Sequence, residues 1–525
     1  MAAKKASAKE KAPNEVAPKS AAGTGRPQKA ASLSKKRWTI LLDIAADGVL
    51  ANFGIESLKQ LKNSASTAGG ATDQAEVTVA AQFSVDAPAG QKVPRYIFGP
   101  DSTGESLSDC IADYLDAPRT MTEQQALIDF LQWAFGNDDL NKADYYALIL
   151  WGHGPELLMQ PPPAPGNDSI SLYLTPIDLR IALQVVTPLP NKNKQFDLIA
   201  FDACSMSMFE VAYELQEHAR YMVASQEEVP DLSFPYDKIV PFFREKGADL
   251  ETLLRKGVYA YIAAYEDYID DAVTDMKPAT LSALRLFDCG DLKEALRRLS
   301  CALCAANGKP ALPSLLIKAR ESARDFVSGL YVDLFDFAAA LISVLDAGAS
   351  ADRPSYSKQS PNPSDPDYWK YPICQACNDI LEAFEEDTQG KKNLLVLANC
   401  SADGACNGVS LYMPYLSNDQ WMGITRPMIK GGDATLGGKD FSAVLNNAGP
   451  QQLLCERREL IGETEHYYED LQLSQDTGWY RFIVEQWTQI LVNVAAKNLD
   501  VLYSAEQAAL NACRTKSVTV TAACP

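Results

Sequence analysis

Two short apolar segments decide the fold: YYALILWGHG at residues 145–154 and FDLIAFDACSM at residues 196–206. Each begins with a run rich in β-forming residues and ends at turn-forming residues, which predicts a buried strand of a parallel sheet. His153 therefore follows one predicted strand, and Cys204 follows the other. Because active sites in open α/β sheets lie at the carboxyl ends of the strands, these two side chains are candidates for a common site.

The separation of these two residues points to a type of chemistry. His153 and Cys204 are about 50 positions apart, as are the histidine and the nucleophilic cysteine of caspase-type peptidases. We expect a nearby imidazole, and the N-terminus of the helix predicted after Cys204, to favour the reactive thiolate. The backbone N–H groups of Gly154 and Cys204 are candidates to stabilise the tetrahedral oxygen, and His153 would protonate the leaving amine. The pattern predicts a cysteine peptidase with a catalytic Cys204/His153 dyad.

The alternative is that both residues are structural. A single cysteine at a strand end is usually a small buried hydrophobe, and a single histidine in a turn is usually structural or solvated. The chain has three histidines; His218 lies in a segment with helical spacing and His466 lies in an acidic stretch. Neither has glycines on both sides at a strand end, as His153 has. The joint pattern therefore favours the catalytic interpretation.

Five segments, in the same order along the chain, resemble the clostripain family of cysteine peptidases, which has the caspase–gingipain–legumain fold: WTILLDIAAD (38–47), ALILWGHG (147–154), FDLIAFDACS (196–205), ASQEEVP (224–230) and NGVSLYMP (407–414). The resemblance implies that His153 and Cys204 are catalytic. It also implies that Asp202 lies in the S1 pocket, where a carboxylate would pair with an arginine or lysine before the scissile bond. The segment DLSFPYD at 231–237 departs from the family's usual glycine-containing aromatic loop, and Asp231 or Asp237 is a candidate second carboxylate of that pocket.

The connection between His153 and Cys204 contains PPPAPG and the loop TPLPNKNK, which we expect to be exposed. In the clostripain family this connection is often cut to mature the enzyme, so the resemblance makes Lys192 and Lys194 candidate self-cleavage sites. Exposed loops of this kind are where proteolytic nicks concentrate. An uncut linker with ordinary surface lysines remains an open alternative.

No metal site is predicted from the cysteines or the carboxylates. The pairs Cys301/Cys304 and Cys374/Cys377 resemble halves of a zinc site, but the distance between the pairs is far from the roughly 15–20 residues of ribbon sites. Members of the clostripain family commonly use calcium. The chain has many carboxylates but no EF-hand spacing, so calcium remains an open suggestion of the resemblance.

Alternating strand and helix patterns predict an α/β fold, which the resemblance specifies as a caspase-like three-layer α/β/α sandwich around a mostly parallel sheet. Strands are expected at 38–45, 77–83 and 95–99, a helix at 281–306, and a strand pair at 391–398 and 409–415. The predicted organisation has a disordered basic tail, a peptidase domain, and a C-terminal α+β subdomain with a Pro/Ser-rich loop near 353–367. These three parts are residues 1–37, 38–305 and 306–525.

Composition limits the classes of partner. The formal net charge is −20 although the first 37 residues are basic, so the body of the chain is acidic and nucleic-acid binding is not expected. No apolar stretch reaches about 18 residues, so no membrane span is expected. The N-terminal residues lack the apolar core of a secretory signal, which predicts a cytoplasmic protein, with export by another route left open.

The predicted function is a cysteine endopeptidase that cleaves peptides or proteins after basic residues. Arginine is the first candidate for the P1 residue and lysine the second. Two alternatives remain open. One is a binding or scaffold protein that kept the caspase-like fold without activity. The other is a peptidase with a different P1 preference, such as Asp or Asn, although Asp202 would disfavour an acidic P1 residue by like-charge repulsion.

Overall fold

The structure is a computed structural model. It describes residues 36–46, 50–65, 76–85, 92–99, 102, 106–116, 123–154, 174–245, 247–267, 277–326, 329–347, 355–358, 362–384, 393–402, 406–415, 435–436, 439–440, 468, 470–487 and 489–491. The predicted basic tail lies outside these residues as far as residue 35, and so does part of the Pro/Ser-rich loop.

The strands of the described residues are numbered here along the chain: β1 (Lys36–Ala46), β2 (Val77–Val85), β3 (Lys92–Phe98), β4 (Ile111–Asp116), β5 (Ala143–Trp151), β6 (Phe196–Asp202), β7 (Ala219–Ala224), β8 (Thr280–Arg285), β9 (Asp325–Phe326), β10 (Tyr331–Asp333), β11 (Leu395–Cys400), β12 (Ser410–Tyr412), β13 (Thr435–Leu436) and β14 (Lys439–Asp440). The α-helices are Ala51–Ala65, Glu123–Gly136, Pro176–Val186, Phe209–Leu215, Tyr236–Ile239, Leu250–Ala264, Cys289–Ala305, Leu312–Ser322, Leu334–Leu345, Lys370–Glu382, Gln472–Thr477 and Trp479–Phe482. Short 3-10 segments are Leu107–Cys110, Val240–Arg244 and Leu286–Asp288, and Ile483–Trp487 is a π-helical segment.

One mixed sheet organises the described residues, with the strand order β11-β8-β7-β6-β5-β1-β2-β3-β4. The five central strands β2, β1, β5, β6 and β7 are parallel, and antiparallel strands complete the sheet on both sides. The strands predicted at 38–45, 77–83, 145–150 and 196–201 are confirmed. They form the buried centre because their side chains are apolar on both faces.

Helices cover both faces of this sheet. On β1, the even-numbered residues from Trp38 to Ala46 pack toward the helices Ala51–Ala65 and Leu250–Ala264. Leu41 faces the opposite side, where it joins the larger core that includes the helix Glu123–Gly136. The three-layer α/β/α sandwich around a mostly parallel sheet is therefore confirmed.

Three local predictions are wrong. Residues 280–285 form β8 and not the start of a helix, because this segment is fully buried and pairs with β7 and β11 on its two sides. The segments at 391–398 and 409–415 do not pair with each other: β11 pairs with β8, and β12 pairs with β10 of a separate small sheet. His218 lies in the turn after the helix Phe209–Leu215 and not within a helix.

Strands on both sides of the predicted boundary after residue 305 belong to the same sheet. β11 follows that boundary and pairs with β8, which precedes it. The two predicted parts thus share one sheet, and the boundary itself stays a prediction. None of the helices in the described ranges is long and apolar enough to cross a membrane.

Arg285 fastens the edge strand β11 to the sheet. Its side chain is fully buried and forms two hydrogen bonds of 2.9 Å with the Glu251 carboxylate. The same guanidinium donates to the carbonyl oxygens of Asn393 and Leu395, at 2.6 and 2.8 Å. The helix Leu250–Ala264, β8 and the start of β11 are therefore joined through one cation.

Replacing Arg285 by alanine removes the cation from Glu251 and the donor from two strand carbonyls. Because breaking a buried ion pair is costly, we expect the free energy of unfolding in urea to fall by about 3–5 kcal/mol. Arg297 is a matched control, since it forms the same bidentate pair with Glu294 at the surface. Arg297→Ala should leave the urea midpoint unchanged. Equal effects of the two substitutions would contradict the anchoring role of Arg285.

Candidate active site

The ends of β5 and β6 bring the predicted site residues together. These strands are parallel neighbours, with Trp151 paired to Asp202 at their carboxyl ends. Just beyond, the N–H of Gly152 donates to the carbonyl oxygen of Asp202 at 3.2 Å. His153 and Cys204 follow directly, and both line one open cleft with an empty volume of about 380 Å³.

The two glycines beside His153 are required by close backbone contacts. A Cβ atom on Gly152 would lie 2.8 Å from the carbonyl oxygen of Ala45. A Cβ atom on Gly154 would overlap the carbonyl group of Cys204 and lie 2.6 Å from its backbone nitrogen. Real Cβ atoms do not approach other atoms so closely, so only glycine fits here. The Gly-His-Gly sequence therefore lets the histidine turn pack against the backbone of Cys204.

The Gly154–Cys204 contact also brings two candidate oxyanion donors close together. Neither the N–H of Gly154 nor that of Cys204 donates to any residue that the structure describes. Two neighbouring backbone N–H groups at a strand end are the usual arrangement for stabilising a tetrahedral oxyanion. The geometry is therefore compatible with the predicted oxyanion hole.

Cys204 is half-buried in a turn between β6 and the helix Phe209–Leu215. Its Sγ accepts a hydrogen bond from the N–H of Val229 at 3.3 Å. The pKa of the thiol is raised to about 11: burial is the main cause, the carboxylates of Glu228, Asp202 and Glu227 add to it, and the Val229 hydrogen bond opposes it. The resting thiol is protonated at neutral pH.

The expectation that a helix N-terminus favours the thiolate is therefore wrong for this structure. The helix begins only at Phe209, so Cys204 does not lie in its first turn, where the dipole acts. His153 is exposed at the cleft and faces solvent on one side. Forming the thiolate thus needs a proton acceptor, and an imidazole lining the same cleft is a suitable one.

Asp202 forms the buried end of the cleft. Its Oδ2 accepts hydrogen bonds from the N–H of Phe234 at 3.1 Å, from the hydroxyl of Tyr236 at 2.6 Å and from the hydroxyl of Ser233. Its Oδ1 is buried and has no hydrogen-bond partner within the described part of the chain. The carboxylate is thus oriented through one oxygen, while the other is buried without a partner among the described residues.

Burial raises the pKa of Asp202 to about 6, and the hydrogen bonds from Ser233, Tyr236 and Phe234 lower it. The carboxylate is therefore ionised above about pH 6 and becomes protonated below that value. Ser233 is itself positioned by the indole N–H of Trp151, which donates to its hydroxyl at 2.5 Å. Sequence reasoning missed Ser233 and Tyr236; their signal was the SFPY sequence at 233–236, which departs from the usual loop of the family.

The other predicted residues occupy different places. Asp231 is exposed and lines the rim of the cleft, so it can approach a bound substrate. Asp237 is exposed on the short helix Tyr236–Ile239 and does not line the cleft. Lys192 and Lys194 are exposed in the loop that precedes β6, whereas Cys204 follows β6. A seven-residue strand therefore separates these lysines from Cys204, on the order of 20 Å.

The lysine loop is compact. The N–H of Leu189 donates to the carbonyl oxygen of Lys194 at 2.9 Å, and the Leu189 side chain is buried in the core. The side-chain amides of Asn191 and Asn193 donate to the two carboxylate oxygens of Asp197 at 2.9 and 2.6 Å. The two lysine side chains are thus exposed, while hydrogen bonds from neighbouring residues hold the loop in place.

The described residues offer no evident calcium or zinc site. No three His, Cys, Asp or Glu side chains converge within the ranges given above in a way that would hold a cation. Cys301, Cys304, Cys374 and Cys377 are free thiols on two helices, and the last two are fully buried.

Comparison with known proteins identifies a peptidase family and similar solved structures. A profile of the clostripain family matches residues 44–487. Similar solved structures include a secreted C11 cysteine protease from Bacteroides thetaiotaomicron in complex with an irreversible peptide inhibitor, at 19% identity over 74% of this chain and 96% of that chain, with a TM-score of 0.48. An inactive zymogen C11 protease from Parabacteroides distasonis is similar at 16% identity over 85% of this chain and 99% of that chain, with a TM-score of 0.48.

No curated protein sequence matches the chain. The family profile, by contrast, covers most of the sequence, from within β1 to Trp487. The chain belongs to the clostripain family of cysteine peptidases.

Proposed function

We propose that this cysteine peptidase cleaves after arginine or lysine, with Cys204 as the nucleophile and His153 as the general acid and base. The observation that carries the proposal is the buried Oδ1 of Asp202, which has no hydrogen-bond partner in the described residues and belongs to a cleft-lining side chain. A buried acceptor without a donor costs about 1–3 kcal/mol, more when it is charged. A cationic P1 side chain would supply the missing donor.

The surroundings of Asp202 suit a cation better than a neutral group. Three donors already hold Oδ2, so the carboxylate cannot rotate without losing them. An arginine or lysine entering the cleft would meet a fixed anion in a site screened from water, where charge-assisted hydrogen bonds are strongest. Asp231 at the rim would add a second, solvent-exposed negative charge on the approach path.

The proposed mechanism begins from a protonated thiol. The bound cation beside Asp202 offsets one of the negative charges that raise the pKa of Cys204. His153 accepts the thiol proton, and the sulfur attacks the scissile carbonyl carbon. The N–H groups of Gly154 and Cys204 stabilise the oxyanion, and His153 returns the proton to the departing amine. Water, activated by His153, then hydrolyses the thioester.

The test compares matched peptides that carry arginine or citrulline at P1, since citrulline keeps the shape and lacks the charge. We expect Asp202→Asn to lower kcat/KM for the arginine peptide by about 10- to 100-fold, because a hydrogen bond to a charged group contributes about 1.5–3 kcal/mol. Cleavage of the citrulline peptide should change little. Below about pH 6, the wild-type KM for arginine should rise as Asp202 becomes protonated.

Two control variants define the result. Asp231→Asn, at the rim, should reduce the arginine preference far less than Asp202→Asn, and Cys204→Ala should abolish cleavage of both peptides. A wild-type enzyme that cuts arginine and citrulline peptides equally well would contradict the assignment of Asp202. No cleavage by the wild type, with or without added calcium, would favour the inactive scaffold alternative.

We also propose that any self-cleavage after Lys192 or Lys194 takes place between molecules. The lysines precede β6 and Cys204 follows it, so the length of a seven-residue strand separates them from the thiol of the same chain. A second molecule can instead present its cleft to the loop. The hydrogen bonds around Asp197 would have to open locally for the loop to enter that cleft.

This proposal predicts that the Cys204→Ala chain is nicked in the lysine loop when wild-type enzyme is added. The rate constant for nicking in the wild type should increase in proportion to protein concentration, as followed on a denaturing gel. A Lys192→Gln/Lys194→Gln chain is the control and should stay intact. A rate independent of concentration would contradict the intermolecular route, and an uncut wild type would support the linker alternative.

A further inference from the structure

The turn that carries Cys204 rests on the segment 225–229, which follows β7. The N–H of Ser205 donates to the carbonyl oxygen of Glu227 at 3.0 Å, and the N–H of Ser207 donates to that of Ser225 at 2.8 Å. The same segment supplies the Val229 N–H that bonds the thiol. The position of the nucleophile therefore depends on the position of this segment.

A distant part of the chain holds the same turn from its other side. The Ser207 hydroxyl donates to the carbonyl oxygen of Gly408 at 2.6 Å, and the N–H of Ser410 donates to the carbonyl oxygen of Ser207 at 2.9 Å. Met208 and Ser410 form a parallel bridge. Ser207 is fully buried between the two segments. The turn is thus clamped between residues 225–229 and residues 407–410.

One side chain, Gln226, connects both supports. Its amide nitrogen donates to Oδ2 of Asp333 at 3.1 Å, and its amide oxygen accepts from the N–H of Gly408 at 2.7 Å. Asp333 also accepts from the N–H and from the side-chain amide of Asn407, at 2.9 and 3.2 Å. Gln226 and Asp333 are both fully buried. Asp333 therefore sets the relative position of the two supports.

The bonding of Asp333 requires two acceptor oxygens. Its Oδ1 accepts from Asn407 and from the N–H of Asp336, in the first turn of the helix Leu334–Leu345, and its Oδ2 accepts from Gln226 and Asn407. All four contacts come from donors, so a carboxylate satisfies every one of them. An asparagine would direct its own NH₂ group at donors on one side. The neutral isostere would therefore break part of the connection.

We propose that Asp333, acting through Gln226, is a positioning residue for the Cys204 nucleophile. The inference rests on the proposed role of Cys204. Asp333 does not line the cleft, so it acts on the turn and on segment 225–229 and not on the substrate. A displacement of about 1 Å in reacting groups can cost on the order of 100-fold in rate. Loss of the Asp333 connection should therefore lower kcat and leave KM nearly unchanged.

The same loss should alter the thiol before any substrate binds. If segment 225–229 shifts, the Val229 N–H moves away from Sγ, and this hydrogen bond is what lowers the pKa of Cys204. The rate of Cys204 alkylation by iodoacetamide at a fixed pH should then fall. This readout does not depend on peptidase activity, and mass spectrometry of the Cys204 peptide separates it from the other thiols.

The experiment compares Asp333→Asn with Asp197→Asn. Asp197 is a matched control because it is also a fully buried aspartate that accepts from side-chain amides and from a backbone N–H. It lies at the opposite end of β6 from Cys204. Each preparation is checked on a denaturing gel for nicking in the loop next to Asp197. Urea unfolding reports the stability of both variants.

We expect Asp333→Asn to lower kcat by about 10- to 100-fold, to change KM by less than about twofold, and to slow Cys204 alkylation. Asp197→Asn should lower the urea midpoint without changing kcat or alkylation of the folded enzyme. Gln226→Met provides a second variant that leaves the Asp333 contacts to Asn407 and Asp336 in place. It should reproduce the loss of kcat and the slower alkylation with a smaller loss of stability.

The outcomes separate this inference from the proposed function. If Cys204 alkylation and kcat are unchanged in folded Asp333→Asn and Gln226→Met, the positioning role is wrong. If Asp197→Asn has the same effects on both, general destabilisation explains them and the role is again wrong. If the wild type cleaves no peptide while Cys204 alkylation still depends on Asp333, the positioning role stands and the proposed peptidase function fails.

Discussion

The site depends on the contact between the backbone of Gly154 and the backbone of Cys204. A Cβ on Gly154 would overlap the Cys204 carbonyl group, so this approach exists only because residue 154 is glycine. The parallel pairing of β5 and β6 makes the contact possible, since it aligns Trp151 with Asp202 and leaves the following residues of both strands side by side. The geometry of the candidate site thus follows from strand register and from the absence of a side chain at residue 154.

The negative charge of Asp202 has two opposing effects within the cleft. The buried Asp202 would give the site its preference for a cation, yet its negative charge adds to the effect of burial, and together with neighbouring groups these raise the pKa of the Cys204 thiol to about 11. A substrate with a basic P1 residue would act on both groups. Its cation would donate to Oδ1 of Asp202, and it would offset the negative charge that raises the pKa of Cys204. Asp202 would then recognise the P1 residue and also make activation of the thiol depend on a bound basic substrate. The Val229 hydrogen bond lowers the pKa of the thiol, and the segment that carries Val229 is tied to Asp333 through Gln226.

Much of the fold and the location of the site could be predicted from sequence, because apolar runs that stop at turn residues identify buried strands. His153, Cys204 and Asp202 are adjacent in sequence to the ends of such runs, and they line one cleft. Features that depend on contacts between distant parts of the chain could not be predicted. The segment at 280–286 fits a strand or a helix until its neighbours are known, and the pairing partner of 409–415 is remote in sequence. The raised pKa of the thiol arises from burial, which spacing does not report.

The most direct test of the account is the rate of Cys204 alkylation by iodoacetamide as a function of pH, with and without methylguanidine. Methylguanidine is small enough to occupy the Asp202 pocket without carrying a peptide across the thiol. Without it, we expect the alkylation rate to rise about tenfold per pH unit between pH 7 and 9, because the thiol is protonated at rest. Methylguanidine should accelerate alkylation of the wild type at pH 7.5 and have no effect on Asp202→Asn. A rate that is constant across this pH range, or that methylguanidine leaves unchanged in the wild type, would contradict the account.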